Sequence, residues 1–159
     1  MKKLFMVMLI TCISVLVIFT GTSFIYAADP LEVTIDIKPG EDNLTNPINL
    51  KAKGKVPVAV FSSNAIDSVL AFDATMIDPA TVLFAGAPSV KSVLKDVNLD
   101  GLMDVVFFFN TQSLILDSTS TSATLTASTT DGSTITGTDS VKIVPKPKIP
   151  KPKKSKSKK

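Results

Sequence analysis

The densest run of potential metal ligands in the chain is Asp96-Val97-Asn98-Leu99-Asp100-Gly101-Leu102-Met103-Asp104. Oxygen-bearing side chains occupy its first, third, fifth and ninth positions, and glycine at the sixth permits a sharp turn. A calcium ion takes about six to eight oxygen ligands, and this spacing lets one short segment wrap around it. Leu102, at the seventh position, would contribute its main-chain carbonyl, so its apolar side chain is no obstacle. The spacing therefore predicts a calcium site built from Asp96, Asn98, Asp100, Leu102 and Asp104. Two features depart from a helix-loop-helix site: the twelfth position is Phe107 where a bidentate Glu is usual, and the residues that follow resemble a strand. A missing ligand would have to come from elsewhere in the fold, and Asp36, Asp73 and Asp78 are candidates because they flank predicted strand ends. The competing reading is a metal-free turn, since Asp, Asn and Gly are ordinary turn formers.

Other chemistry is scarce. The chain has no His, Arg or Trp, and its single Tyr (Tyr26) and single Cys (Cys12) both lie within the first 28 residues. Once that segment is removed, no imidazole, thiol, phenol, indole or guanidinium remains. Ser-His-Asp and Cys-His catalysis and His- or Cys-ligated zinc and haem are thereby excluded. A hydrolase using two carboxylates is still conceivable, but no pair is identifiable, and the Trp and Tyr that commonly line sugar clefts are missing.

The charges fall into three regimes. Residues 1–28 hold only Lys2 and Lys3, residues 29–144 hold all 14 acids against seven lysines for a net of −7, and residues 145–159 hold eight lysines and no acid. Lys2-Lys3, an apolar run from Leu4 to Phe19, and small residues at Ala27-Ala28 follow the order of a secretory signal peptide cleaved after Ala27 or Ala28. The rival is an uncleaved anchor tethering the protein to the membrane. At the other end, Pro145, Pro147, Pro150 and Pro152 alternate with lysines, which predicts a disordered, polyproline-like tail. Its Lys146, Lys148, Lys151, Lys153, Lys154, Lys156, Lys158 and Lys159 would attract an anionic surface such as cell-wall polymer or lipid headgroups. Nothing in the tail reads bases, so no specific nucleic-acid partner is expected. A purely solubilising tail is the plainer alternative.

The intervening residues must position the loop, and they read as strands. Val33, Ile35 and Ile37 alternate with polar residues up to Pro39-Gly40. Val56 to Phe61 is a second strand, whose start Pro57 pushes toward an edge or a strand opening. Val82 to Phe84 and Asp104 to Phe109 follow, the latter apolar enough to be covered on both faces. Ala123, Leu125 and Ala127 alternate with Ser and Thr, Thr130-Asp131-Gly132-Ser133 supplies a turn, and Ile135 resumes a strand that closes with Val141 and Ile143. Asp117 to Thr121 reads as a loop. Residues 117–140 contain 15 Ser or Thr in 24, a composition that also suits disorder, but the alternation favours a hairpin. Short strands with Gly, Pro and Asp turns and no helical periodicity predict a single all-β sandwich over residues 29–144.

Several segments occur in an order that resembles a known domain: Ile35-Asp36-Ile37-Lys38-Pro39-Gly40, Asn46-Pro47-Ile48-Asn49-Leu50, Val56-Pro57-Val58-Ala59-Val60, Ile77-Asp78-Pro79-Ala80-Thr81-Val82, the Asp96 loop, and Gly137-Thr138-Asp139-Ser140-Val141-Lys142-Ile143-Val144. Together they resemble a small, largely uncharacterised β-domain that recurs in secreted bacterial and archaeal proteins, alone or appended to extracellular hydrolases and surface proteins. Its loop is similar to the calcium loops of dockerins and β-propeller repeats. The resemblance implies export, an Ig-like or related β-sandwich, and calcium at Asp96, Asn98, Asp100 and Asp104. Leu99 stands where family members often carry Gly or a polar residue.

The expected function is a non-catalytic accessory or binding module at the cell envelope, with calcium as its cofactor and no small-molecule substrate identified. A purely structural envelope protein and a small carboxylate-dependent glycosidase are the alternatives.

Overall fold

The computed structural model describes residues 29–40, 45–64 and 71–145. Residues 1–28, where a signal peptide is expected, and the basic tail from Lys146 to Lys159, with all eight of its lysines, lie outside the described residues.

The described chain is all-β, with ten strands and two single 3-10 turns, Ala74–Met76 and Thr111–Ser113. The strands are β1 (Leu31–Glu32), β2 (Ile35–Ile37), β3 (Pro47–Ile48), β4 (Lys55–Val60), β5 (Leu83–Phe84), β6 (Ala87–Lys95), β7 (Asp104–Asn110), β8 (Ser122–Ser128), β9 (Thr134–Ser140) and β10 (Lys142–Ile143). Eight of them form one mixed sheet in the order β1-β9-β8-β5-β6-β7-β4-β2, and β10 pairs with β3 in a small parallel sheet.

The large sheet curls into a half-barrel because β1 and β2, neighbours in the chain, sit at its opposite ends. The segment between them hydrogen-bonds to both sides: Val33 N donates to Thr136 O at 2.8 Å, and Thr34 O accepts from Phe61 N at 3.1 Å. Gly137 makes this crossing possible, since a Cβ there would lie 2.6 Å from Ile35 Cγ2 and 2.8 Å from Val33 O. The inner surface is filled by alternate residues of each strand: Val56, Val58 and Val60 from β4, Val105, Phe107 and Phe109 from β7, Ala123, Leu125 and Ala127 from β8, with Phe84 tilted against Phe109 at 5.2 Å between ring centres. At about 25 cal/mol per Å² of apolar area removed from water, this contiguous cluster is the main source of stability in a domain without a cysteine.

Asp139 locks the seam. Its Oδ2 accepts from Ile37 N at 3.0 Å and from Asn46 Nδ2 at 2.8 Å, joining β2, β9 and the entrance to β3. Asn46 tolerates the left-handed backbone (φ 38°) that this position requires.

Three sequence expectations can be set against the strand pairing. β4 pairs with β7 along its whole length but with β2 only from Val58 to Val60, so its start is an edge on one side, as Pro57 implies. Pro57 is accommodated where the β2 ladder has ended at Ile37 opposite Val58, and its carbonyl accepts from Lys38 N instead. The last strand does not run through to Ile143: β9 ends at Ser140, and after Val141 the chain switches to β3. Finally, β6 has no counterpart in the sequence reading. It pairs with β7 over most of its length, yet only its first two residues pair with β5 and Ser89 N donates to Val82 O, so Val90 to Lys95 form an open edge. The Ser/Thr-rich segment is ordered, as the β8–β9 hairpin.

Candidate functional site

The Asp96 loop connects β6 to β7, two antiparallel strands whose pairing ends at Lys95 opposite Asp104. It is therefore the tip of a hairpin, presented by a rigid ladder. Three main-chain features shape it: Leu99 at φ 62°, Gly101 at φ 90°, and a return into β7 through Met103. Glycine at 101 fits without strain, and open space surrounds it. Leu99 does not fit, since a left-handed residue with a Cβ costs about 1–2 kcal/mol.

Asp104 is fully buried, and both its oxygens are in use. Oδ1 accepts from Ser62 N at 2.9 Å and Oδ2 from Val97 N at 2.8 Å. Ser62 Oγ in turn donates to Met103 O at 2.7 Å and accepts from Ala74 N at 2.9 Å. Asp104 thus pins the start of the loop to its end and both to the exit of β4. Ser62, buried and central to this network, is a contributor that the sequence reading missed. No sequence signal marks it, because a lone Ser after a strand looks like any turn residue.

The remaining predicted ligands lie nearer the solvent. Asp96 Oδ2 accepts from Gly101 N at 3.0 Å, which folds the loop across its own middle. Asn98 and Asp100 are exposed and bonded to each other, Asn98 Nδ2 donating to Asp100 Oδ2 at 2.8 Å, and Asp100 Oδ1 accepts from Leu102 N at 2.8 Å. One oxygen is left over. Asp96 Oδ1 is shielded from solvent and receives no hydrogen bond, and it is the side-chain atom in that condition among the described residues. A shielded carboxylate oxygen that receives no hydrogen bond is costly to the fold.

The fit to calcium can be judged on that oxygen and its neighbours. Hard oxygen donors are what calcium takes, and Asp96, Asn98, Asp100 and the Leu102 carbonyl are all of that type. No group of three or more His, Cys, Asp or Glu side chains is placed to hold a metal among the described residues. The loop's donor set is mixed, relying on a carboxamide and a carbonyl as much as on acids, and Asp104 is already engaged in holding the frame. Asp36, Asp73 and Asp78 do not complete such an acidic group. Asp73 caps the first 3-10 turn through Thr75 N at 2.9 Å, and Asp78 accepts from Ala80 N at 3.0 Å. Burial, and then the nearby charge of Asp139, pushes the Asp36 carboxyl above the ordinary carboxylate range.

Two shallow clefts flank this architecture. One, of about 360 Å³, runs over the outer face of the β6–β7 hairpin between Pro57, Val93, Lys95, Val97, Val106 and Phe108. The other, of about 410 Å³, lies on the opposite half of the sheet among the hydroxyls of Thr81, Thr126, Ser128, Thr134 and Thr136. Neither is lined by a carboxylate. Comparison of the chain with protein-family models, with curated proteins and with solved structures finds no match.

Proposed function

We propose that the chain is an exported, non-catalytic accessory module of the cell envelope, an Ig-like sandwich stabilised by calcium in the Asp96 loop, with a basic tail drawn to anionic surface polymer. The observation that carries this reading is Asp96 Oδ1, buried and without a hydrogen-bond donor, in a loop whose other groups are oxygen donors. The loop's hydrogen bonds account for Asp96 Oδ2, Asp100 and Asp104 but leave that atom uncompensated. Calcium supplies what it lacks, and envelope and extracellular sites bind usefully even at millimolar affinity. The non-catalytic part rests on chemistry: beyond residue 28 the chain has no His, Cys, Arg, Tyr or Trp, and its two described clefts present no acid.

The test is calorimetric titration of the processed chain with calcium, alongside thermal melts. Binding should be seen, and calcium at a hundredfold excess over its Kd should add about 2.7 kcal/mol to the stability. The absence of both heat and a melting shift would return the loop to a metal-free turn.

A further inference from the structure

From Val90 to Lys95, β6 is paired on one side only. Its ladder to β5 stops at Pro88, Ser89 N donates to Val82 O at 3.2 Å, and the residues beyond bond to β7 alone. Such an edge presents a row of main-chain N–H and C=O groups, on alternate residues, to any extended chain that lies beside it. Its side chains are equally uncovered. Lys91, Val93 and Lys95 stand opposite Phe108, Val106 and Asp104 on one face, and Ser92 and Leu94 opposite Phe107 and Val105 on the other. All five are exposed, Val93 by 39% and Leu94 by 57%. Lys91 and Lys95, four residues apart, are about 13 Å from each other along the strand. Neither has an ion-pair partner among the described residues, and Lys91 Nζ lies 5.7 Å from the Phe108 ring centre.

We propose that this edge receives an extended acidic segment of another protein as an added strand, with acidic side chains at two positions four residues apart and an apolar one midway between them. Charge selects the occupant. The register shift between Ser89 and Lys91 and the two lysines are devices that blunt pairing between like edges. A second copy of β6, antiparallel and centred on Val93, would set each Lys91 against the other copy's Lys95, and like charges directly opposite are destabilising. Centring the pair on Ser92 or Leu94 still leaves lysines as diagonal neighbours. The ends of this chain do not serve either, since residues 1–28 and 145–159 contain lysines and no acid. An acidic strand meets none of these obstacles. Its carboxylates pair with Lys91 and Lys95, its middle side chain packs against Val93, and its main chain continues the ladder. This partner goes beyond the envelope-module reading and needs no ion in the Asp96 loop.

The experiment is an NMR titration of the processed chain, tail included and in chelator, with the synthetic peptide Ser-Glu-Ile-Val-Thr-Glu-Ser. The basic tail attracts this peptide as well, so the readout is hydrogen exchange at the β6 amides rather than total binding. At saturation, the alternate amides between Val90 and Lys95 that face away from β7 should exchange about tenfold more slowly or less. Peptides N-methylated at one alternate set of residues should lose this effect, and those methylated at the other set should keep it, because only every second residue of an added strand bonds to the edge. The counterpart peptide with Lys in place of Glu should not protect the edge. The double variant Lys91→Glu/Lys95→Glu changes only exposed side chains and should melt like wild type. It should bind the Glu peptide at β6 about tenfold more weakly and accept the Lys peptide instead. Unchanged exchange at the edge with millimolar Glu peptide overturns the proposal, as does equal protection by the Glu and Lys peptides or by the two N-methylated series. Protection that grows with protein concentration in the absence of peptide would assign the edge to a second copy. Because chelator is present throughout, either result leaves the calcium titration of the Asp96 loop to be judged by itself.

Discussion

Two hairpin turns in this protein use the same Asp-Gly chemistry to opposite ends. In the β8–β9 turn, Asp131 precedes Gly132 and is satisfied from within: its Oδ1 accepts from Thr129 Oγ1 and from Ser133 N. Those bonds hold the carboxyl below the ordinary carboxylate range. Gly132, at φ 87°, takes the left-handed position. In the β6–β7 turn, Asp100 precedes Gly101 in the same way, yet the loop around it is longer, carries two further acids and leaves Asp96 Oδ1 with no donor. Hydroxyl-rich neighbours account for the difference. The β8–β9 turn has Thr129, Thr130 and Ser133 to donate hydrogen bonds, whereas the β6–β7 loop has only main-chain N–H groups and one carboxamide. The first turn closes its own hydrogen bonds, and the second leaves one carboxylate oxygen without a donor.

The contrast can be broken most forcefully at Asp104, which belongs to the frame of the open loop. Asp104→Ala strands the Ser62 and Val97 N–H groups in the interior and should lower the unfolding free energy by about 3 kcal/mol or more, measured by urea denaturation. A loss below about 1 kcal/mol would mean that water replaces the carboxylate and that the loop is not pinned as described.

A second comparison sets Asp96→Asn against Asp131→Asn. The first removes the charge from an oxygen that nothing compensates, so in chelator the variant should be at least as stable as wild type while losing the calcium-induced shift. The second removes a satisfied charge, so it should destabilise slightly and leave the calcium response intact. Equal calcium responses in all three proteins would place any bound ion outside the loop.

Much of the architecture was legible in the sequence because local pattern and tertiary position agreed. Val33, Ile35 and Ile37 alternate and are buried, and the same holds for Ala123, Leu125 and Ala127. β6 was not legible. Its Val90, Val93 and Leu94 are spaced as on a helix face, it begins with Ala87-Pro88, and its second half is exposed on both faces, so only the ladder to β7 makes it a strand. The parallel pairing of β1 with β9 is equally non-local, and its one sequence trace is Gly137, whose missing side chain lets the first strands cross. At the site, spacing marked Asp96, Asn98, Asp100 and Asp104 as one loop, and they lie together between β6 and β7. It did not separate Asp104, which the fold has consumed, from Asp96, which it has not, because that depends on Ser62, 42 positions away in sequence.

The smallest expected effect concerns pH and sets carboxylates held low by hydrogen bonds against one raised by burial. Burial and the neighbouring Asp139 raise the Asp36 carboxyl above its ordinary value, so the folded protein holds that proton more tightly than the unfolded chain does. The contribution of Asp36 to stability is therefore most favourable below the ordinary carboxylate pKa and is lost as pH rises through the raised folded value. Asp117 and Asp131 behave in the opposite sense. Hydrogen bonds from Thr119 and Thr129 hold them low, so their contributions are present above the ordinary value and are lost as pH falls through the lowered folded ones. Asp36→Asn removes only the contribution of Asp36. The variant should match wild type most closely near pH 3, gain on it as pH rises through the carboxylate range, and hold a small constant advantage at neutral pH, read as the difference in urea midpoints at pH 3, 5 and 7. A difference that does not change with pH would assign the effect to packing at the β2 edge, and a loss of stability at neutral pH would mean that the Asp36 charge is compensated in the fold.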